Sequence, residues 1–226
     1  MIYKNIKEAR FINRPNRFIA NIEIEGKSQL CHVKNTGRCK ELLTPGAKVF
    51  VQESDNFKRK TKYDLISVYK GDMLVNIDSS APNKVFYEWL TDSDIKEDIL
   101  FVKPEAQYKN SRFDFYIETA KSRGFVEVKG VTLEKDGVAL FPDAPTERGV
   151  KHLNELIDAR QNGYAAWIIF IIQMQKVSYF MPNEAMHKTF SDALKAAQKQ
   201  NVDMAALDCK VTRNSIMIEN HIKIKL

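Results

Sequence analysis

The stretch that most restricts what this chain can fold into runs from Arg112 to Gly130. It reads as two strands. In the first, Phe113, Phe115 and Ile117 fall on one face and Asp114, Tyr116 and Glu118 on the other, because strand side chains alternate. In the second, Phe125, Glu127 and Lys129 share a face opposite Val126 and Val128. Thr119 to Arg123, followed by Gly124, supplies the turn. Pairing the strands brings Asp114 beside Glu127, with Lys129 two residues along on the same side.

Two carboxylates on one face repel each other and raise each other's pKa. A hard divalent cation, Mg²⁺ or Mn²⁺, removes that cost by taking carboxylate oxygens while keeping waters for substrate. Such an ion polarises a phosphodiester and acidifies a bound water. A lysine beside it orients that water and stabilises charge developing on the phosphate. Asp114, Glu127 and Lys129 are therefore the candidate catalytic residues of a metal-dependent phosphodiesterase. E-x-K alone also arises on an ordinary solvated strand. Asp114 on an apolar strand, with glycines at Gly124 and Gly130, favours the site.

The net charge of +6 is unevenly placed. Residues 1–80 hold 15 Lys and Arg against 9 Asp and Glu, which accounts for all of the excess; residues 81–226 hold 20 of each. A basic segment beside a neutral one carrying a carboxylate site fits a polyanion held by the first part and presented to the second. A soluble surface of ordinary charge is the plainer reading.

Phe18–Ile24 and Ser28–Val33 alternate as a hairpin turned at Gly26, Ala47–Gln52 is a strand, and Asp64–Tyr69 with Met73–Ile77 forms a second hairpin. Five short strands with glycine turns fit an OB-like barrel, a fold that often binds oligonucleotides. Before them, Arg10, Arg14 and Arg17 interleave with Phe11 and Phe18, an arrangement suited to single strands. The two rings fit a small barrel's core better than stacking platforms. Lys34, Arg38 and Lys40 surround Gly37, where backbone donors can cradle a phosphate. Lys58, Arg59, Lys60 and Lys62, between Phe57 and Tyr63, are either a solvated loop or a phosphate-binding run.

Ser79 to Pro82 marks the expected boundary between a basic domain, 1–80, and a second domain, 81–226, with Pro82 in the first turn of a helix. Gly137–Phe141 is a further strand. Thr146–Gln161 is an amphipathic helix with Val150, Leu153, Leu156 and Ile157 on one face. Ala165–Ile172 is wholly apolar, as for a central strand buried on both faces. Met186 to Ala197 gives a second amphipathic helix, and Val202–Val211 and Ser215–Ile224 the last strands. The expected class is a mixed α/β (α+β) fold.

The longest apolar run is far shorter than the roughly 20 residues a bilayer demands. The start carries no apolar signal region. Cys31, Cys39 and Cys209, an odd number without a framework, suggest reduced thiols and a cytoplasmic protein. Cys31, His32 and Cys39 lack a fourth ligand and a C-x-x-C pair, so ordinary cysteines are the better reading.

The motifs Ser111-Arg112-Phe113-Asp114-Phe115, Glu127-Val128-Lys129-Gly130-Val131-Thr132-Leu133 and Phe141-Pro142-Asp143-Ala144-Pro145-Thr146-Glu147-Arg148-Gly149, running on to Lys151-His152-Leu153, resemble the sugar fermentation stimulation protein family (SfsA). Asn35-Thr36-Gly37-Arg38 and Thr44-Pro45-Gly46 match it too, so the resemblance spans nearly the whole chain. It implies an N-terminal OB-like barrel, a C-terminal domain of the PD-(D/E)xK nuclease type, and DNA binding. Asp114, Glu127 and Lys129 carry the motif, and Glu105 matches a further family acid, giving Asp114, Glu127 and Glu105 as metal ligands. It also raises Asp143, Glu147 and Arg148 to site candidates. Arg112 and Arg148 join Arg14, Arg17, Lys34, Arg38, Lys58, Arg59, Lys60 and Lys62 as nucleic-acid contacts. Where the family carries His-Cys-Pro-Asn-Thr-Gly, this chain reads Cys31-His32-Val33-Lys34-Asn35-Thr36-Gly37, and Cys31 and His32 receive no role. The expected partner is DNA, with RNA and a homo-oligomer left open and no membrane. A non-catalytic DNA-binding regulator linked to sugar metabolism is the alternative.

Overall fold

A computed structural model describes residues 1–35, 37–56, 58–92 and 98–226. Thr36 and Phe57, named above, lie outside the described residues.

The first third closes into a ring of five strands. β1 (Ile6–Asn16) runs antiparallel to β2 (Ile19–Ile24), and β2 antiparallel to β3 (Lys27–Val33). β3 pairs in parallel with β5 (Tyr63–Lys70), which returns antiparallel to β4 (Lys48–Glu53), and β4 closes on β1. Closure removes the sheet edges, as in an OB barrel. The β2–β3 turn needs two residues at positive φ, and Glu25 (51°) and Gly26 (74°) supply them. Phe11, Ile22, Val33, Val49, Val51 and Leu65 fill the interior.

The five barrel strands are not the five expected. β1 is an additional long strand that takes in Arg10 to Asn16, while β6 (Met73–Asn76) adds outside the ring, beside β5. The interleaved aromatics part company in consequence. Phe11 is buried in the barrel and Phe18 is 50% exposed.

The second half is built on a six-stranded sheet in the order β15-β14-β12-β9-β8-β7. Its strands are β7 (Ile99–Tyr108), β8 (Ser111–Thr119), β9 (Arg123–Val131), β12 (Ala165–Ile172), β14 (Asp203–Val211) and β15 (Ile216–Ile222). β9, β12 and β14 are parallel, and the outer strands run antiparallel to their neighbours. The apolar run Ala165–Ile172 is a central strand, as expected. Ile168, Phe170 and Ile172 pack with α2 (Glu147–Gln161) and α3 (Lys188–Lys199). Ile169 and Ile171 face α1 (Ala81–Thr91) on the other side. Pro82 stands in the first turn of α1. The strand expected near Gly137–Phe141 leaves this sheet. It forms β11 (Val138–Phe141), between β10 (Leu133–Lys135) and β13 (Tyr179–Pro182), in a small separate sheet. β7, β10 and β13 are strands that the sequence pattern does not announce. No described helix is long and apolar enough to cross a membrane.

Gln173, just past β12, ties the two halves. Its backbone N–H donates to Val131 O (2.9 Å), and its carbonyl accepts Asn76 N–H (2.9 Å). Its Nε2 donates to Asn76 Oδ1 (3.0 Å) and Asp78 O (3.1 Å). A Cβ at Gly130 would lie 2.7 Å from Gln173 Oε1 and 2.7 Å from Pro82 Cγ, so both side chains would have to shift to admit it.

Candidate metal and nucleic-acid site

Asp114 sits where β8 changes the face it presents. Phe113 packs against Phe125 (5.5 Å between centroids) on the α2 side, whereas Phe115 packs against Phe86 of α1 (5.6 Å). The expectation that Phe113, Phe115 and Ile117 share a face therefore fails at Phe113. The paired strand is irregular at the same point. Rungs join Pro104 to Phe115 and Ala106 to Phe113, but none joins Glu105 to Asp114, and Glu105 is in the left-handed region (φ 57°). Both strands turn over together across that missing rung.

The β8–β9 ladder runs from Glu118↔Arg123 to Phe115↔Val126. The next rung would pair Asp114 with Glu127, the adjacency expected from the sequence. Instead Asp114 Oδ2 accepts the Val128 N–H (2.7 Å), and Oδ1 accepts Asn83 Nδ2 from α1 (2.7 Å). Burial, and then the charge of Glu127, push the Asp114 carboxyl above its ordinary range despite those two donors.

Glu127 is buried, at 3% exposure. Its Oε1 meets Lys129 Nζ at 2.5 Å and is also bonded by His152 Nδ1 of α2. Its Oε2 is buried without a partner. Burial opposes ionisation, but His152 and Lys129 together hold this carboxyl below its usual range. The two acids thus diverge, one pushed up and one held down. Asp114 is held from the α1 side and Glu127 from the α2 side. A buried, unpartnered carboxylate oxygen and a second carboxylate close enough to feel its charge are hard oxygen donors of the kind a divalent cation takes, and Mg²⁺ commonly takes only one or two carboxylates.

Glu105 does not join that pair as a third ligand. It is exposed and ion-paired with Arg112 (3.0 Å), although it lines a groove of about 330 Å³ together with Asp114, Asn83 and Tyr87. Among the described residues no three His, Cys, Asp or Glu side chains are grouped to hold a metal.

The cationic candidates divide. Arg14 spends its guanidinium inside the chain, donating to the carbonyls of Gly37, Arg38, Arg17 and Asn35 at 2.6–3.0 Å. Arg59 grips buried Asp64 with both Nη atoms (2.6 and 3.0 Å), and Lys34 lies 3.6 Å from the same carboxylate. Lys62 is paired with Glu53 (2.6 Å). These four have partners within the chain. Arg17, Arg38, Lys58 and Lys60 are exposed, with no ion pair among the described residues. Arg17 and Arg38, with Lys40, line a groove of about 490 Å³ on the barrel. Tyr63 belongs to the barrel core rather than to a stacking surface.

At the start of α2, Thr146 is the cap, accepting Gly149 N–H (3.0 Å). Glu147 is exposed and paired with His187 (3.2 Å). Arg148 is exposed, and Asp143 lines a cleft of about 210 Å³ with Asn35, Gly37, Ser79, Asn83 and Gln173. Cys31, Cys39 and Cys209 are buried and unpaired, and burial pushes the Cys39 thiol up to about 12. His32 bonds Asp64 (3.1 Å) rather than a metal-type cluster.

Two residues at the site carried no assignment from sequence. His152 had a visible signal, being a polar residue on the buried stripe of α2 with Gly149, Leu153, Leu156 and Ala159. Asn83 had none, because its partner on β8 is distant in sequence.

Comparison with known proteins agrees along the chain. Residues 12–77 match the model described as the SfsA N-terminal OB domain, and residues 80–215 match the sugar fermentation stimulation protein RE domain. A sugar fermentation stimulation protein homolog of Ruminiclostridium cellulolyticum is 57% identical over 226 residues, covering 100% of both chains. One from Desulfitobacterium hafniense is 58% identical over 226 residues, covering 100% of this chain and 99% of its own. The solved structure of Pyrococcus furiosus SfsA in complex with Ca²⁺ superposes with a TM-score of 0.87 at 27% identity, covering 100% of this chain and 98% of that one. The chain belongs to the sugar fermentation stimulation protein (SfsA) family.

Proposed function

We propose that this protein binds DNA through its barrel and hydrolyses phosphodiesters at a divalent-metal site of the PD-(D/E)xK type in its second half. The observation that carries the reading is the buried, unpartnered Oε2 of Glu127, together with the charge that Glu127 exerts on the Asp114 carboxyl. The Pyrococcus furiosus relative was solved as a Ca²⁺ complex, and Ca²⁺ and Mg²⁺ both take oxygen ligands.

Asp114 and Glu127 are the residues that would hold the ion. A bound Mg²⁺ or Mn²⁺ supplies Lewis-acid polarisation of the phosphoryl oxygen and an acidified water. Lys129 Nζ, held beside Glu127, would donate toward the attacking oxygen and the charge that develops on phosphate. Asn83 and the Val128 N–H keep Asp114 in place. Arg17, Arg38, Lys58 and Lys60 hold the backbone through phosphates, with no reading of sequence.

The test is incubation of supercoiled plasmid and of single-stranded DNA with Mg²⁺, Mn²⁺ or EDTA. Metal-dependent nicking by the wild type, lost in Asp114→Ala, is expected; nicking equal in that variant removes the enzyme reading. A second reading, DNA binding without turnover, is favoured by the engagement of both Asp114 oxygens, Oδ1 by Asn83 and Oδ2 by the Val128 N–H. Full DNA affinity with no metal-dependent cleavage would select it.

A further inference from the structure

Arg148 lies in the first turn of α2, one helical turn from His152. Its Nε–H donates to His152 Nε2 at 3.3 Å. A guanidinium has donors only, so Nε2 offers a lone pair. The ring proton then sits on Nδ1, which donates to Glu127 Oε1. Lys129 Nζ meets that same oxygen at 2.5 Å. Oε1 is held from the sheet and from the helix, and Oε2 alone is left unpartnered. His152 is 5% exposed, with its ring edge-on to Phe113 at 6.1 Å, so packing fixes the ring.

We infer that His152 is a positioning residue. Oriented by Arg148, it fixes the rotation of the Glu127 carboxylate so that Oε2 is presented to a divalent cation. The inference rests on the metal reading above and extends the site to α2. Partners of this kind, which hold a ligand without touching the ion, typically contribute about 10–100-fold in metal affinity.

The experiment is calorimetric titration of Mn²⁺ into the full chain, comparing wild type with His152→Ala, His152→Asn and His152→Gln. Asparagine places its amide nitrogen near the position of Nδ1 and keeps the donor to Oε1. Glutamine places it near Nε2. His152→Ala should weaken Mn²⁺ binding by about 10–100-fold, His152→Asn should recover most of the loss, and His152→Gln should recover little. Unchanged affinity in His152→Ala, or equal affinities in the Asn and Gln variants, overturns the positioning role. Melting in EDTA identifies any variant that fails to fold, in which case the Asn and Gln comparison decides. No Mn²⁺ binding by the wild type overturns the metal reading and this inference together. Wild-type binding with indifferent variants overturns only this one.

Discussion

Asp64→Asn separates the structural cations of the barrel from its nucleic-acid contacts. Asp64 is 6% exposed on β5 and receives Arg59 at 2.6 and 3.0 Å, His32 at 3.1 Å and Lys34 at 3.6 Å. Asparagine preserves the shape but turns one acceptor into a donor facing a cation. One charged hydrogen bond, about 1.5–3 kcal/mol, is lost and the other weakens. Arg59 and Lys34 side chains are 29% and 28% exposed, so water recovers part of the charge they leave unpaired. The net cost at pH 7 is then about 3 kcal/mol, at the low end for breaking a buried pair. Burial opposes the charge of Asp64, but Arg59, Lys34 and His32 hold its carboxyl below the ordinary range. A depressed carboxylate stabilises the fold above its unfolded pKa of about 3.9 and loses that contribution as pH falls through the folded value. The gap between wild type and variant should therefore be full at pH 7 and close below pH 4. Urea unfolding followed by far-ultraviolet circular dichroism is the assay, because both tryptophans, Trp89 and Trp167, lie outside the barrel. An equal gap at pH 7 and pH 3, or a cost below about 1 kcal/mol, refutes the reasoning.

Replacing Arg17 and Arg38, or Lys58 and Lys60, by Ala should weaken DNA binding across sequences and flatten the log–log salt slope by about 1 per lost phosphate contact; an unchanged slope would exclude those residues. Arg14→Lys keeps the charge but loses the fork that serves four carbonyls. It should destabilise the barrel by about 1–2 kcal/mol in a denaturant titration, and wild-type stability would show that lysine can replace the fork. Gly130→Ala forces a methyl against Gln173 and Pro82, at a cost of about 1–3 kcal/mol; an unchanged melting temperature would show that both neighbours yield. Glu127→Gln should abolish metal-dependent cleavage and weaken Mn²⁺ binding while leaving the circular dichroism spectrum intact, and retained cleavage would remove Glu127 as a ligand.

Local periodicity made much of the architecture legible. Ala165–Ile172 could be recognised as a central strand because every residue is apolar, and α2 because its apolar residues recur at helical spacing. The β8–β9 hairpin was legible because a short turn fixes its register, from Glu118 against Arg123 to Phe115 against Val126. Periodicity misled at Phe113, where β8 turns over opposite a left-handed residue on another strand, and no alternation rule carries that information. It also hid β1, whose arginines looked like a binding motif although Arg14 braces the loop that follows β3. Asn83 and the partner of His152 depend on contacts between segments far apart in sequence. The charge count located the basic region but not which cations already have partners.

The Val128 N–H donates to a carboxylate, Asp114 Oδ2. An amide protected by a neighbouring strand's carbonyl exchanges with solvent deuterium when the sheet opens. This one is protected by a side chain instead, and a side chain can be drawn away without disturbing the strands. Its exchange rate is therefore coupled to the state of a single carboxylate. Any ligand that claims Oδ2 should accelerate deuteration at Val128 while leaving the amides of Ile169 and Ile171 slow, so the local chemistry can be followed apart from the stability of the fold.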